Sequence, residues 1–359
     1  MTIYLDYQAT TPLAPEVRGA MTPWILDKFA NPHSSHKLGR EAHAVVDMAR
    51  EAIAELLPPG GQVYFTSGAT EALNWAILCS GKGGIALPDT EHAAVRDTAF
   101  WLRGNRRKVT ILPVNPDGLV DSKFTIADGT GLVATMLVNN EIGTIQPVSK
   151  IAKAAHKAGA LFLCDAVQGF GRVPVPAEAD MIAISAHKIH GPKGIGALWV
   201  KDGVKLEPLL HGGGQEGGLR SGTLAPSLCV GFGTAARLAK MRMAEDAVRV
   251  DRLWTLAMDM LPKDWTVNGS TSQRYKGNLN IMSEGIDSAR LVSDLRDIAF
   301  STGAACASGS GRPSHVLRAL GLSDTEARSS VRIGFGRYTT EPELREALSL
   351  IFRTAKAQA

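Results

Sequence analysis

The sequence is poor in cysteine: Cys79, Cys164, Cys229 and Cys306 are widely spaced along 359 residues and form no C-x-x-C pair. That scarcity argues against a disulfide framework and against a zinc site, and it fits a reducing compartment. Any cysteine with a chemical role must act alone. No apolar run approaches the ~20 residues needed to cross a bilayer, and Met1-Thr2-Ile3-Tyr4-Leu5-Asp6 has neither the basic nor the apolar stretch of a signal peptide. The chain is therefore expected to be soluble, unprocessed and cytoplasmic. Charge of one sign is also scarce, since 39 Lys and Arg face 35 Asp and Glu for a net charge of +4. So small and dispersed a surplus argues for neither nucleic acid nor an anionic membrane as partner. The local cluster Arg103, Arg106, Arg107 and Lys108 reads better as a solvated loop before a strand. With 45% hydrophobic and 21% charged residues, no internal repeat and no low-complexity tail, composition excludes disorder, collagen and coiled coil.

What remains is a patterned globular chain. Over residues 40–57 the apolar positions Ala42, Val45, Val46, Ala49, Ala52, Ile53, Leu56 and Leu57 follow helical spacing, closed by Pro58-Pro59-Gly60-Gly61. Short apolar runs then predict buried strands at 62–65, 85–87, 109–114, 132–138, 161–164, 181–184 and 195–200, with helical pattern between several, notably 149–158. Such alternation implies an α/β fold with a mostly parallel sheet covered on both faces, and ligands at the carboxyl ends of its strands. Residues 210–223 are too glycine-rich for helix or strand and read as a long ordered loop. A long helical region at 226–261 is followed by strands at 278–282 and 331–335 among helices at 287–297, 313–320 and 341–355, which predicts a smaller α/β domain. The expected division is a large domain of residues 14–242 and a small one of residues 1–13 with 243–359.

Three segments carry chemistry. Thr66-Ser67-Gly68-Ala69-Thr70-Glu71 joins a predicted strand to a predicted helix, so it is either an anion site at a helix N-terminus or an ordinary capping box. Strand 161–164 delivers Asp165 to its carboxyl end, as a helix cap or as partner to a cation at the sheet's mouth. Strand 181–184 ends in Ser185-Ala186-His187-Lys188, followed by Gly191-Pro192-Lys193-Gly194. A lysine held at an apolar strand end is a candidate to condense with a carbonyl, and Lys193, in its turn, is the more exposed competitor. An anion cradle, an acid for a ring nitrogen and a lysine for an aldehyde together fit pyridoxal phosphate.

At this point the chain resembles the group I cysteine desulfurases of the NifS/IscS type, in the class V branch of fold-type I pyridoxal-phosphate enzymes. The resemblance rests on Asp165-Ala166-Val167-Gln168, Ser185-Ala186-His187-Lys188 and Arg220-Ser221-Gly222-Thr223. It extends through Tyr4-Leu5-Asp6-Tyr7-Gln8-Ala9-Thr10-Thr11-Pro12, Asn31-Pro32-His33-Ser34-Ser35-His36, Thr90-Glu91-His92 and Asn139-Asn140-Glu141-Ile142-Gly143. It implies that Lys188 carries the cofactor aldehyde, Asp165 pairs with the ring nitrogen and Gln168 bonds the ring hydroxyl. It implies that His92 stacks on the ring and shuttles protons, and that Ala69, Thr70, Ser185 and His187 hold the phosphate with Thr223 from the other subunit of a homodimer. Asn140 would bond near substrate and ring hydroxyl, and Asn31 would contact substrate, unless it is a turn residue before Pro32. Arg332 would clamp the substrate carboxylate, although an arginine in a strand equally suits an ordinary surface ion pair. Gln8 stands where many relatives have alanine, a departure expected to matter little.

Cys306 is the expected nucleophile. Cys164 ends a strand, and Cys79 and Cys229 lie in helical surroundings, so each reads as core filler. Cys306 instead sits in Ser301-Thr302-Gly303-Ala304-Ala305-Cys306-Ala307-Ser308-Gly309-Ser310-Gly311, small residues that suit a mobile tether for a thiol. The resemblance thus implies removal of sulfur from L-cysteine to give L-alanine and a persulfide on Cys306, passed to an iron–sulfur scaffold or another sulfur-acceptor protein. Since the chain stops soon after Phe352-Arg353-Thr354, that acceptor is expected to dock around Cys306 and not on a long tail. The rival readings are a selenocysteine lyase or another class V enzyme, and a non-catalytic sulfur-transfer scaffold, which intact Lys188, Asp165, His92 and Cys306 oppose.

Overall fold

The computed structural model describes residues 2–303 and 313–358. The first half of the chain contains β1 (Ile3–Tyr4), α1 (Pro15–Leu26), α2 (Lys37–Ala54), β2 (Gly61–Thr66), α3 (Ala69–Cys79), β3 (Gly84–Pro88) and α4 (Ala93–Gly104). It continues through β4 (Val109–Leu112), β5 (Thr130–Met136), α5 (Val148–Lys157), β6 (Leu161–Asp165), β7 (Met181–Ser185) and β8 (Gly196–Lys201). After the long α6 (Pro226–Met260) come β9 (Thr266–Val267), β10 (Asn278–Met282), α7 (Ser288–Asp294), β11 (Ile298–Ala299) and β12 (Ser301–Thr302). The chain closes with α8 (His315–Ala319), α9 (Asp324–Arg328), β13 (Ser330–Gly334) and α10 (Glu341–Lys356).

The main sheet has the order β2-β8-β7-β6-β5-β3-β4. Only β8 runs against its neighbours β2 and β7; the other pairings are parallel. Alternation along the strands explains why both faces are covered. In β6 and β7, Phe162, Cys164, Ile182 and Ile184 enter one core with α1, α2, α5 and the start of α6. Leu163, Met181 and Ala183 enter the other, against α3 and α4. The α2 helix stops at Ala54, three residues before the apolar pattern ends, because Pro58 disfavours helical backbone at Leu57, which is nonetheless buried.

A second sheet, β12-β13-β10-β9, is antiparallel throughout and packs with α7, α10 and the end of α6. At 35 residues α6 is about 50 Å long. Its Phe232 and Ala236 sit in the first core, and its Leu253, Trp254 and Ala257 in the second. The N-terminal segment spans the same divide. Leu5 is buried in the second core and Ala14 in the first, while β1 pairs parallel with β11. The short β1, β9, β11 and β12 and the helices α1 and α9 had no separate sequence signal. Among the described residues no helix is long and apolar enough to cross a membrane.

Phe162→Ala should lower unfolding free energy by about 3–5 kcal/mol, because the fully buried ring leaves a cavity between layers that cannot collapse. Met241→Ala, on the exposed middle of α6, should change it by less than about 0.5 kcal/mol. Urea unfolding of the two variants checks both values.

Candidate active site

The carboxyl ends of β5, β6 and β7 and the turn between β2 and α3 open on one cleft of about 640 Å³. The turn is built for an anion. No side chain caps the first turn of α3. Glu71 turns back, accepting the Ser67 amide at 2.7 Å and holding Arg220 at 2.7 and 3.1 Å. Burial alone would raise the Glu71 carboxyl, but Arg220 and Ser67 outweigh it and hold the group below its ordinary range. With that carboxylate engaged elsewhere, the start of α3 at Ala69 and Thr70 is left to the cleft. β8 presses directly on the turn: a Cβ on Gly196 would lie 2.7–2.8 Å from backbone atoms of Gly68 and Ala69. Ser185 and His187 line the same wall.

Asp165 ends β6 inside the cleft and is almost fully buried. It accepts the Val167 amide at 3.0 Å, and among the described residues no cation pairs with it within salt-bridge distance. Burial pushes its carboxyl up to about 6 against smaller opposing effects of the Val167 amide and Lys188. A ligand that brings positive charge to a buried acid of this kind stabilises its anion further. Glu91 lies behind it, accepting the Met136 amide at 2.8 Å and driven well up by burial, with Asp165 adding to the effect.

Lys188 follows β7 in a short 3-10 turn, and its Nζ donates to the carbonyls of Gln8 and, at 2.8 Å, Ala9. Gln168 donates from Nε2 to the same Gln8 carbonyl at 2.8 Å, and its Oε1 accepts Arg172 at 3.0 Å. Gln8 is thus no minor departure. Its buried side chain donates to Gly277 at 2.9 Å, and its Oε1 fills the space a Cβ on Gly334 would need. His187 Nδ1 lies 3.1 Å from Thr10 Oγ1, and burial with Lys188, Lys193 and Arg172 nearby pulls it down to about 4. His92 caps α4, its Nδ1 accepting the Ala94 amide at 3.1 Å; burial, then Lys188 and His315, lower it from the ordinary imidazole value. Both rings are neutral at pH 7.

Arg332 and Asn140 complete the cleft. Arg332 is fully buried, and its ion pair is an internal one, donating to Asp6 at 2.8 Å, Ser301 at 3.3 Å and the Asn140 carbonyl at 3.1 Å. Its Nε has no acceptor among the described residues. Lys193 is exposed at the rim. Asn31 is outside the cleft lining, with its side chain accepting the His33 amide at 2.9 Å, the turn role that its place before Pro32 suggested. Thr223 is exposed and does not reach the cleft of its own chain. Its loop is ordered by Glu216, which accepts Arg50 at 2.7 and 2.9 Å and the Phe65 amide at 2.6 Å. Cys306 lies outside the described residues. Sequence reading missed Gln8, Ala9 and Thr10, whose contacts to Gln168, Lys188 and His187 join residues about 160–180 positions apart and leave no local pattern, and Arg172, which bonds Gln168 four positions before it and Lys188 sixteen after it.

The profile of the aminotransferase class-V family matches residues 3–346. The cysteine desulfurase IscS of Rickettsia bellii (strain OSU 85-389) is 45% identical over 98% of this chain and 90% of its own length. Among solved structures, a NifS-like protein superposes with a TM-score of 0.92 at 32% identity over 99% of this chain and all of its own. The structure of SspA in complex with cysteine gives a TM-score of 0.83 at 35% identity, covering 94% of this chain and 100% of that one. The chain belongs to the aminotransferase class-V family and, within it, to the cysteine desulfurases.

The Asp165 environment sets a pH dependence. An unfolded chain binds this proton with a pKa near 3.8 and the folded one near 6, so the cost of ionising the group in the fold grows between those values and is complete above them. Compared with the parent, cofactor-free Asp165→Asn should therefore be equally stable near pH 3 and more stable at pH 8, by about 3 kcal/mol. Urea unfolding at the two pH values reads the difference.

Proposed function

We propose that the enzyme binds pyridoxal 5′-phosphate in the cleft and removes sulfur from L-cysteine, leaving L-alanine and a persulfide on Cys306. The observation that carries this reading is the buried Asp165 carboxyl, without an ion-pair partner among the described residues, in one cleft with Lys188 and the uncapped start of α3. When bound, the cofactor supplies an aldehyde that condenses with amines and a ring that withdraws electrons. The residues present fit it. Ala69, Thr70, Ser185 and His187 would hold the phosphate, with the partner's Thr223, and the exposure of that loop on its own chain agrees with service to a second subunit. Asp165 would meet the ring nitrogen, Gln168 and Asn140 the ring hydroxyl, and Lys188 the aldehyde.

The side chains then divide the work. Arg332 orients the substrate carboxylate, assisted by Asn140, through a guanidinium already held rigid by Asp6. Lys188 moves a proton at Nζ. His92 is neutral, and because its Nδ1 is taken by the Ala94 amide, Nε2 is the atom that exchanges a proton. The Cys306 thiolate attacks the substrate sulfur: the carbon–sulfur bond breaks, a sulfur–sulfur bond forms, and the carbon takes up a proton to become the methyl group of alanine. The persulfide passes to an acceptor thiol on an iron–sulfur scaffold or other sulfur-acceptor protein, in the cytoplasm. For the arrangement of the chain we propose residues 14–242 as the cofactor-binding domain and residues 1–13 with 243–359 as the smaller domain carrying Cys306. The separate cores containing Ala14 and Leu5 support that division.

Incubated with L-cysteine and a thiol reductant, the yellow holoenzyme should release alanine and sulfide in equal amounts. Lys188→Ala should lose the visible absorption and at least about 10²-fold of the rate. Cys306→Ser should stay yellow yet yield neither product. Alanine produced at the parental rate by Cys306→Ser would sink the assignment of the nucleophile, and selenocysteine turned over in place of cysteine would move the enzyme to the lyases.

A further inference from the structure

Lys188 lines a second cavity as well, of about 230 Å³, enclosed by α6, the turn after β6 and the segments around Tyr275 and Arg337. Its charges do not balance. Arg172, Arg274, Lys276 and Arg337 face it, against Asp246 and Asp251. Both carboxylates are already engaged. Asp246 accepts Arg337 at 2.7 and 3.0 Å, and Asp251 accepts Lys276. Arg172 and Arg274 have no ion-pair partner among the described residues; their terminal nitrogens donate to neutral groups, at Gln168 and Lys188 for the first and to backbone carbonyls for the second. Two buried donors, Nη1 of Arg337 and Nε of Arg274, have no acceptor among the described residues, on side chains that are 9% and 5% exposed.

Buried N–H donors without acceptors and two guanidinium charges that meet aromatic rings and neutral acceptors but no carboxylate, around a void, describe a site made for an anion. Apart from Lys188 and His190, the remaining walls are apolar or aromatic, from groups such as Tyr7, Tyr275, Ala239 and Val250, which suits a carbon body between two charged ends and suits a bare inorganic ion poorly. We propose that this cavity is a binding site for a small organic dicarboxylate, separate from the substrate cleft. Arg172 gives it a route to the chemistry. The same guanidinium that faces the cavity stacks 5.1 Å from the Tyr275 ring and donates to Gln168 Oε1 and the Lys188 carbonyl. A ligand drawing on Arg172 therefore competes with the contacts that position Lys188 and Gln168, so the site is an effector site for the cleft.

Succinate serves as the probe, titrated calorimetrically into holoenzyme at low ionic strength without substrate, so that the outcome is independent of turnover. Saturable binding is expected, with succinate at least tenfold tighter than inorganic phosphate. Ala247→Phe, placed at the exposed mouth of the cavity on α6 and away from the cleft, should weaken it at least tenfold while leaving the melting temperature unchanged. Arg274→Gln provides a second variant, with the same loss expected. Absence of saturable binding would overturn the proposal, as would equal affinity in the parent and Ala247→Phe, which would place the anion in the substrate cleft. Phosphate binding as tightly as succinate would overturn the dicarboxylate assignment.

Discussion

Lys188 is held in place by a strap of backbone. Residues 6–14 run between the two cores and hydrogen-bond to both. On the small side the Tyr7 amide donates to Gly334 and the Gln8 side chain to Gly277. On the large side the Thr11 amide and hydroxyl donate to the His187 carbonyl at 3.0 and 2.8 Å, Thr11 Oγ1 accepts the His190 amide at 2.7 Å, and the Ala14 amide donates to His190 at 3.0 Å. These bonds close the turn that presents Lys188. They also hold His190 at a φ of 66°, which costs a non-glycine residue on the order of 1 kcal/mol. Each bond contributes only about 1 kcal/mol net, but together they decide where one ammonium group sits. The Gln8 and Ala9 carbonyls then accept that group directly.

Around the strap, burial suppresses charge. Glu91, Asp165 and Glu141 are all pushed upward by loss of water, while His92, His187 and His190 are all pulled downward. A cation entering the cleft meets Asp165, and an anion meets the start of α3 or Arg332, in surroundings less screened than bulk water. The Asp6–Arg332 pair is the exception, a buried ion pair that earns its place by fixing the guanidinium plane, since pairing alone seldom repays desolvation.

Much of this was legible in the sequence because it is local. The alternation that makes β6 and β7 buried strands also places Asp165 and Lys188 at one rim, and the α6 boundaries follow from a helical pattern opening at Pro226. The antiparallel direction of β8 was not legible, since an apolar run of six residues has no polarity. Nor were Gln8 and Arg172, whose roles arise from contacts across the fold. For the start of α3, the residues Ser67 to Glu71 allowed either a cap or an anion site, and the pairing of Glu71 with the distant Arg220 was invisible in that local pattern. Arg332 is not the surface ion pair that a strand arginine suggested: its pair with Asp6 is internal, at the wall of the cleft.

The central claim is that sulfur leaves cysteine by way of one particular thiol. It is tested most directly by exposing the holoenzyme to a single equivalent of L-cysteine without reductant, alkylating, and mass-mapping the peptides that carry the four cysteines. The account predicts a gain of one sulfur atom confined to the peptide containing Cys306, with Cys79, Cys164 and Cys229, whose thiols burial shifts upward, unchanged. Sulfur found on any of those three, or alanine formed with no protein-bound sulfur, would contradict it.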